Sequence, residues 1–369
     1  MSSQKIRSEE IDISMGPQHP STHGVLRVAA KLDGEILVEC HPDVGYLHRG
    51  MEKLAEMRTY IQFIPVTDRF DYLASILGNA AFVGAVEKLG GIEVPERVEY
   101  IRVIMMELQR VASHLVFYGS MGMDLGATTP FLYAFREREL IVDLFEMASG
   151  ARLTYNYFRP GGVSKDLPGG FYSKARSYIK TQREMLKEYD DLLTGNQIFI
   201  ARMRNIGVIS AEEAIDYSLS GPSLRGSGVD YDVRTAEPYS IYDRFDWKVI
   251  THPEGDSLAR YRVRLDEIRQ SLNIVEQALD MMPEGEYTYK APARLKLPAG
   301  EVYHHIESAR GDVGVYMISD GSDKPYRMRW RSPSFINLGA LNKLVQGLKV
   351  ADVVAVLGSL DIVLGEVDR

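Results

Sequence analysis

From Met51 to Gln197 the chain sets apolar residues three and four positions apart almost without a break. That period is helical, and it argues against a sheet over this stretch. The segments are MEKLAEMRTYIQFI (51–64), YLASILGNAAFVGAVEKLGG (72–91), ERVEYIRVIMMELQRVASHLVFYGSMGM (96–123), FLYAFRERELIVDLFEMASGARL (131–153) and SKARSYIKTQREMLKEYDDLLTGN (173–196). Several are apolar on two faces, so they need neighbours on both sides, as in a buried bundle. Gly90-Gly91 and Gly161-Gly162 punctuate the run.

The flanks read differently. Ile11–Cys40 alternates and turns, with Gly16, Pro17, Pro20 and Gly24 breaking any helix. We expect two or three strands there, GPQHPSTHG (16–24) as a loop and Asp33-Gly34 as a hairpin turn. After Gln197 the pattern is mixed. Glu212–Ser218 reads as a short helix, LRGSGVDYDVR (224–234) as a Gly-rich loop, Ser257–Met281 as an amphipathic helix, and Ala309–Trp330 as a hairpin turning at DGSD. The fold class is therefore α+β, mainly α, in one continuous fold: a β region at 1–50, a helical bundle at 51–200 and a mixed α/β region at 201–369.

Composition excludes some function classes. The net charge of −8 has no basic stripe to offer nucleic acid. One cysteine, Cys40, forms no internal disulfide and cannot hold an iron–sulfur cluster. No run of about 18 uncharged apolar residues exists; Val350–Leu364 comes nearest and is cut by Asp352 and Asp361. The polar N-terminus, Met1–Glu10, does not read as a secretory signal. A membrane role would have to run through a partner.

Taken alone, the candidate site residues have modest readings. His19 and His23 are four apart, a spacing that puts two imidazoles on one face of a helix and would suit zinc. Here prolines and glycines make a loop, and no third ligand is at hand. Tyr72 reads as a half-buried core tyrosine, Asp124 as a helix N-cap ahead of LGATTP, Arg49 as a surface ion pair, and His114 as a satisfied core histidine. RERE (136–139) reads as a solvated or interface helix face. LRGSGVDYDVR lacks the Gly-x-Gly-x-x-Gly pattern and its ribose-binding acid, so no nucleotide site is read there.

Longer motifs say more. GPQHPSTHG (16–24), YLHRGMEKL (46–54), RFDYLAS (69–75), LVFYGSMGMDLGATTPFLYAFRERE (115–139), NYFRPGGV (156–163), SGPSLRGSGVDYDVR (220–234), ESARGDVGVYMISDG (307–321) and DIVLGEVDR (361–369) run in order over nearly the whole chain. The sequence resembles the 49-kDa, or D-type, subunit family of respiratory complex I. That family includes homologous subunits of F420H2-oxidising complexes and is related to nickel-iron hydrogenase large subunits. The resemblance implies a bundle of the hydrogenase large-subunit type. The hydrogenase pattern Arg-x-Cys-Gly-x-Cys falls on Arg69–Ala74, with Asp71 and Ala74 at the cysteines. Its C-terminal pattern Asp-Pro-Cys-x-x-Cys-x-x-His falls on Asp361–Arg369, with Val363 and Glu366 at the cysteines. Neither Val nor Ala ligates a metal, so no metal and no hydrogen activation is expected.

What the resemblance implies instead is a cavity for a quinone head group, or for methanophenazine in an F420H2- or ferredoxin-linked complex. The short stretch between Lys296 and Gly300 leaves the latter open. Quinol formation needs two electrons and two protons. By resemblance, His23 and Tyr72 bind the carbonyls and Asp124 pairs with His23; His19 and Val363 line the site. A phenol with a pKa of about 10 donates at neutral pH, and an imidazole at about 6.5 can hold or release a proton. One charge pair at about 4 Å and an effective dielectric of about 20 is worth roughly 4 kcal/mol, enough to tie quinone reduction to the state of His23. Arg49 matches an arginine near the terminal cluster. Thr154 stands where the family often has a histidine, so weaker pH dependence of that cluster's potential is expected.

The resemblance also implies partners: an iron–sulfur subunit of the B type carrying a 4Fe–4S cluster, subunits of the C and I types, and a membrane-arm subunit of the H type. The chain itself is expected to hold no cofactor and to act only within the complex, peripherally on the cytoplasmic face of the membrane. A hydrogenase-like catalytic subunit and an inert scaffold are the rival readings.

Overall fold

The computed structural model describes residues 10–19, 24–288 and 294–369. His23 lies outside the described residues, as do Pro20 and the segment 289–293. The N-terminal strands Glu10–Met15, Arg27–Asp33 and Ile36–Asp43 form an antiparallel sheet in chain order. Leu26, Val28, Ala30 and Leu32 bury one face of it, at the two-residue period of a half-covered strand. Gly34 takes φ 65 in the hairpin turn, a value that suits glycine.

The helical run becomes the helices Met51–Met57, Tyr60–Thr67, Ser75–Gly90, Glu96–Asp124, Thr129–Ser149 and Phe171–Tyr189. The first segment, read as one helix, is two. A capping box between Thr59 and Gln62 starts a new helix at Tyr60. Glu96–Asp124 spans 29 residues and packs between Thr129–Ser149 and Ser257–Met281. Asp256 caps the last of these, its side chain accepting from the Ala259 amide at 2.8 Å.

Downstream, strands Gly300–Glu307, Asp312–Ser319 and Arg327–Arg331 make a second antiparallel sheet. The hairpin reading covers the last two strands; the strand Gly300–Glu307 escaped it. Three local readings need correction. Asp124 closes a helix rather than opening one. Within RERE, Glu137 is buried and accepts a 2.6 Å bond from the Tyr189 hydroxyl. The Gly-rich stretch carries helical turns at both ends, Pro222–Arg225 and Val233–Ala236. Its Arg225, Asp232 and Arg234 are buried.

Two apolar cores result. The larger joins the bundle to the second sheet through residues such as Phe82, Ile104, Leu272 and Val315. The smaller joins the N-terminal sheet to the C-terminal helices, through Val28, Leu37, Leu341, Val356 and Leu364. The N-terminal sheet and the C-terminal helices thereby meet beside the bundle. Among the described residues no helix is long and apolar enough to cross a membrane.

Candidate functional site

The turn from Arg69 to Ala74 links two bundle helices. Phe70 donates its amide to Thr67 at 3.1 Å, and its ring stacks on Trp330 at 4.3 Å between centroids. The Asp71 carboxylate accepts from the amides of Leu73 at 3.1 Å and Ala74 at 3.2 Å, a local turn that launches the Ser75–Gly90 helix. Gln109 on the long helix donates to the Leu73 carbonyl at 2.8 Å. Tyr72 is thus held half-buried at the apex of a well-tied turn.

The second wall is the C-terminal segment. The helix Val350–Leu360 ends at Asp361 with φ 55, and Val363 opens the short helix Leu364–Asp368. Two glycines let this segment approach the others. A Cβ on Gly365 would lie 2.9 Å from the Phe70 carbonyl oxygen and 3.0 Å from Cε1 of Tyr72. A Cβ on Gly358 would lie 3.2 Å from an Asp124 carboxylate oxygen and 2.6 Å from the Met121 sulfur. The end of the 16–24 loop arrives at the same place, since a Cβ on Gly24 would lie 2.9 Å from Leu364. Tyr72, Asp124 and Gly24 therefore share one short floor, Gly358–Gly365.

Behind Tyr72 lies a buried charge cluster. Arg310, at the turn between two strands, donates to Asp71 at 2.8 Å and to the Ser113 hydroxyl at 3.0 Å. Its other nitrogen stands 3.6 Å from Asp361, and Arg264 stands 3.6 Å from the second oxygen of Asp361. Glu366 accepts from the Ser334 amide at 2.7 Å and the Ser332 hydroxyl at 3.1 Å. Burial raises the Asp71 carboxyl against the pull of Arg310. Burial, then Asp71, raises Glu366 to about 8. Burial, then Asp71, also raises the Tyr72 phenol, which keeps it a neutral donor.

The sequence-predicted residues fall as follows. Tyr72, Asp124 and Val363 border the shared floor; Val363 donates its amide to Ser334 at 3.3 Å and is buried. His19 forms a bridge with Gly24 at the loop's base. Arg49 donates to the Arg69 carbonyl at 2.7 Å, next to the Tyr72 turn, instead of to a surface carboxylate. Thr154 sits in a loop with φ 55, whose Asn156 amide donates to Asp68 at 2.6 Å. His114 is buried, with one ring nitrogen 2.9 Å from Glu267. Among the described residues no group of three or more His, Cys, Asp or Glu side chains could hold a metal ion. Sequence reading passed over Arg310, Arg264 and Asp361 as site residues. The motif ESARGDVG offered Arg310 as a signal, an arginine set among glycines at a strand turn.

Comparison with known proteins points to one family. The family model described as the respiratory-chain NADH dehydrogenase 49 Kd subunit matches residues 124–295 and 289–369. The chain is 55% identical over 363 residues to the D-type subunit of NADH-quinone oxidoreductase from Desulforamulus reducens, covering 98% of this chain and 99% of that one. It is 52% identical to the corresponding subunit from Clostridium beijerinckii over 99% of both chains. It is 54% identical to that from Geobacillus kaustophilus over 98% of this chain and 99% of the relative.

Proposed function

The chain belongs to the family of the respiratory-chain NADH dehydrogenase 49 kDa subunit, and we propose that within such a complex it forms the pocket for a quinone head group. The observation that carries the reading is the shared floor. Gly358 and Gly365 bring a carboxylate, Asp124, and a phenol, Tyr72, against one backbone segment. That arrangement supplies hydrogen bonds and protons, which is what carrier reduction asks of a chain whose one cysteine cannot hold an iron–sulfur cluster. A quinone is favoured over methanophenazine because the relatives that match this chain over nearly its full length carry the name NADH-quinone oxidoreductase.

In this reading Tyr72 donates to one carbonyl of the head group and His23 to the other. Each added electron makes the carbonyl oxygen more basic, so a positioned donor strengthens as charge develops. The Asp124 carboxylate favours the imidazolium form of His23, and proton loss from His23 removes a positive charge from beside that carboxylate. That local charge change is the start of the signal that drives ion translocation in the membrane arm. A B-type partner docks beside Arg49, and its 4Fe–4S cluster would supply the electrons. Subunits of the C, I and H types complete the surroundings, and the chain sits peripherally on the cytoplasmic face. Thr154 cannot titrate, so it leaves the cluster's potential less dependent on pH.

Tyr72→Phe tests the reading. Loss of one hydrogen bond that tightens in the transition state should slow quinone reduction in the assembled complex by roughly tenfold. Full quinone reduction with unchanged inhibitor sensitivity would make the chain a scaffold. A hydrogenase-like role would require nickel in the purified complex, and the residues at the ligand positions, Asp71, Ala74, Val363 and Glu366, offer no soft ligand.

A further inference from the structure

The cluster behind Tyr72 has more acid than base. Three carboxylates, Asp71, Asp361 and Glu366, meet two guanidiniums, Arg264 and Arg310, and all five side chains are buried. With every acid ionised the cluster would carry one uncompensated negative charge in a water-poor interior, which is costly. Asp71 has a direct ion pair and two amide donors. Asp361 stands between both arginines. Glu366 accepts instead from a serine hydroxyl and an amide, both directed to the same oxygen, Oε1. Of the three acids, Glu366 is the one held by neutral donors and not by a direct contact with a guanidinium.

Its place in the fold gives this charge a consequence. Gly365, one residue before Glu366, is the backbone on which the Tyr72 ring rests, and Asp71 is the residue before Tyr72. We propose that Glu366 holds a proton in the working enzyme and is a positioning residue that keeps the cluster behind Tyr72 neutral, so that Tyr72 can give its proton to the bound head group. In that step the Tyr72 O–H bond breaks and an O–H bond forms on the reduced head group. The phenolate that remains is stabilised by Arg310 and Arg49, and solvent returns its proton. If Glu366 ionises, the added negative charge opposes the phenolate and the step slows. The charged or titratable groups around Glu366 are Asp71 and Tyr72 from the turn, Arg310 from the second sheet, Asp361 and Arg264 beyond it, and Asp368 and Arg369 on its own segment. The raised pKa of Glu366 puts its ionisation at about pH 8.

This inference rests on the reading of Tyr72 as the head-group donor. The experiment is the pH profile of quinone reduction by the intact complex, wild type against Glu366→Gln and Glu366→Asp. A single ionisation centred at about 8 should lower the wild-type rate by roughly tenfold from about pH 7 to about pH 9. Glu366→Gln should abolish that decline, and Glu366→Asp should restore one with a shifted midpoint. A Gln variant that keeps the wild-type decline overturns the proposal. Should Glu366→Gln fail to assemble, Ser332→Ala decides. Removing the hydroxyl that favours the carboxylate should move the decline to higher pH, and an unmoved decline overturns the proposal. If Tyr72→Phe retains the full rate at neutral pH, the pocket reading itself fails. If Tyr72→Phe is slow while Glu366→Gln leaves the decline in place, only the role of Glu366 falls.

Discussion

Arg310 donates a 2.8 Å hydrogen bond to Asp71 across 239 positions of sequence. Both groups are buried, and this one pair pins the Tyr72 turn to the second sheet and the long helix, through Ser113. Removing one partner of such a pair leaves the other charge stranded. Arg310→Ala should cost about 3–5 kcal/mol. The expected outcome is a thermal midpoint lowered by several degrees and depleted subunit in the assembled complex. Arg310→Lys keeps the charge but loses the fork, and should fall between Ala and wild type.

Gly365→Ala tests the close approach of the C-terminal segment. The added methyl would sit 2.9 Å from a backbone oxygen and 3.0 Å from the Tyr72 ring, so the segment must shift. A displacement of about an ångström at a reacting group costs up to roughly a hundredfold. We expect quinone reduction to fall by at least roughly tenfold, while electron transfer from NADH to a soluble artificial acceptor stays close to wild type in an assembled complex.

Asp124→Asn keeps shape and removes charge. Asp124 lies half-buried at the end of the long helix, and an amide of the same shape should leave assembly intact. In the proposed reading the variant slows kcat for quinone, by roughly tenfold or more if the charge pair is worth a few kcal/mol. Steady-state kinetics with a short-chain quinone would read it, and wild-type turnover would remove Asp124 from the mechanism.

Acid should weaken the fold through Glu107. Burial alone would raise its carboxyl, but Arg110 and Arg234, with donors from Ser271 and Tyr242, outweigh burial and hold it at about 2 against an ordinary 4.5. A depressed carboxyl contributes stability above its unfolded pKa and loses it as pH falls through its folded one. The contribution, on the order of 3 kcal/mol, is therefore complete near neutrality and fades between pH 4.5 and about 2. Glu267, held low by Arg225 and His114 against burial, acts in the same direction. Thermal midpoints measured from pH 7 to pH 3 should drop steeply below 4.5, and Glu107→Gln should flatten that drop while lowering the midpoint at pH 7.

Cys40 offers a simple check on the smaller core. It is fully buried, and burial raises its thiol to about 11. A thiol-alkylating reagent at about pH 8 meets almost no thiolate there. The native subunit should remain unlabelled over hours and take up one equivalent on denaturation; mass spectrometry reads both states.

The helical bundle was legible in the sequence because apolar period is a local property. Glu96–Asp124 and Ser257–Met281 stand where the spacing put them, and the hairpin expected at Asp33-Gly34 turns one residue later, at Gly34-Glu35, with Asp33 still paired to Ile36. Where the reading slipped, the competing signal was also local but weaker. Thr59 and Gln62 split a segment whose apolar period continues across the break. The strand Gly300–Glu307 has charged and imidazole groups on its outer face, which hid its pairing with Asp312–Ser319.

The family followed from motifs read in order along the chain, and the same motifs named the residues proposed for the site. Which of those residues share one wall did not. Tyr72 and Asp124 meet the same segment only because Gly358 and Gly365 lack side chains there. The charge excess behind Tyr72 exists only because the turn at Arg69–Ala74, the strand turn at Arg310 and the chain's last helix are folded together. A sequence carries hydrophobic period and turn chemistry in neighbouring residues. The cost of an unpaired charge depends on distance and on the water excluded around it, and both are properties of the packed chain alone.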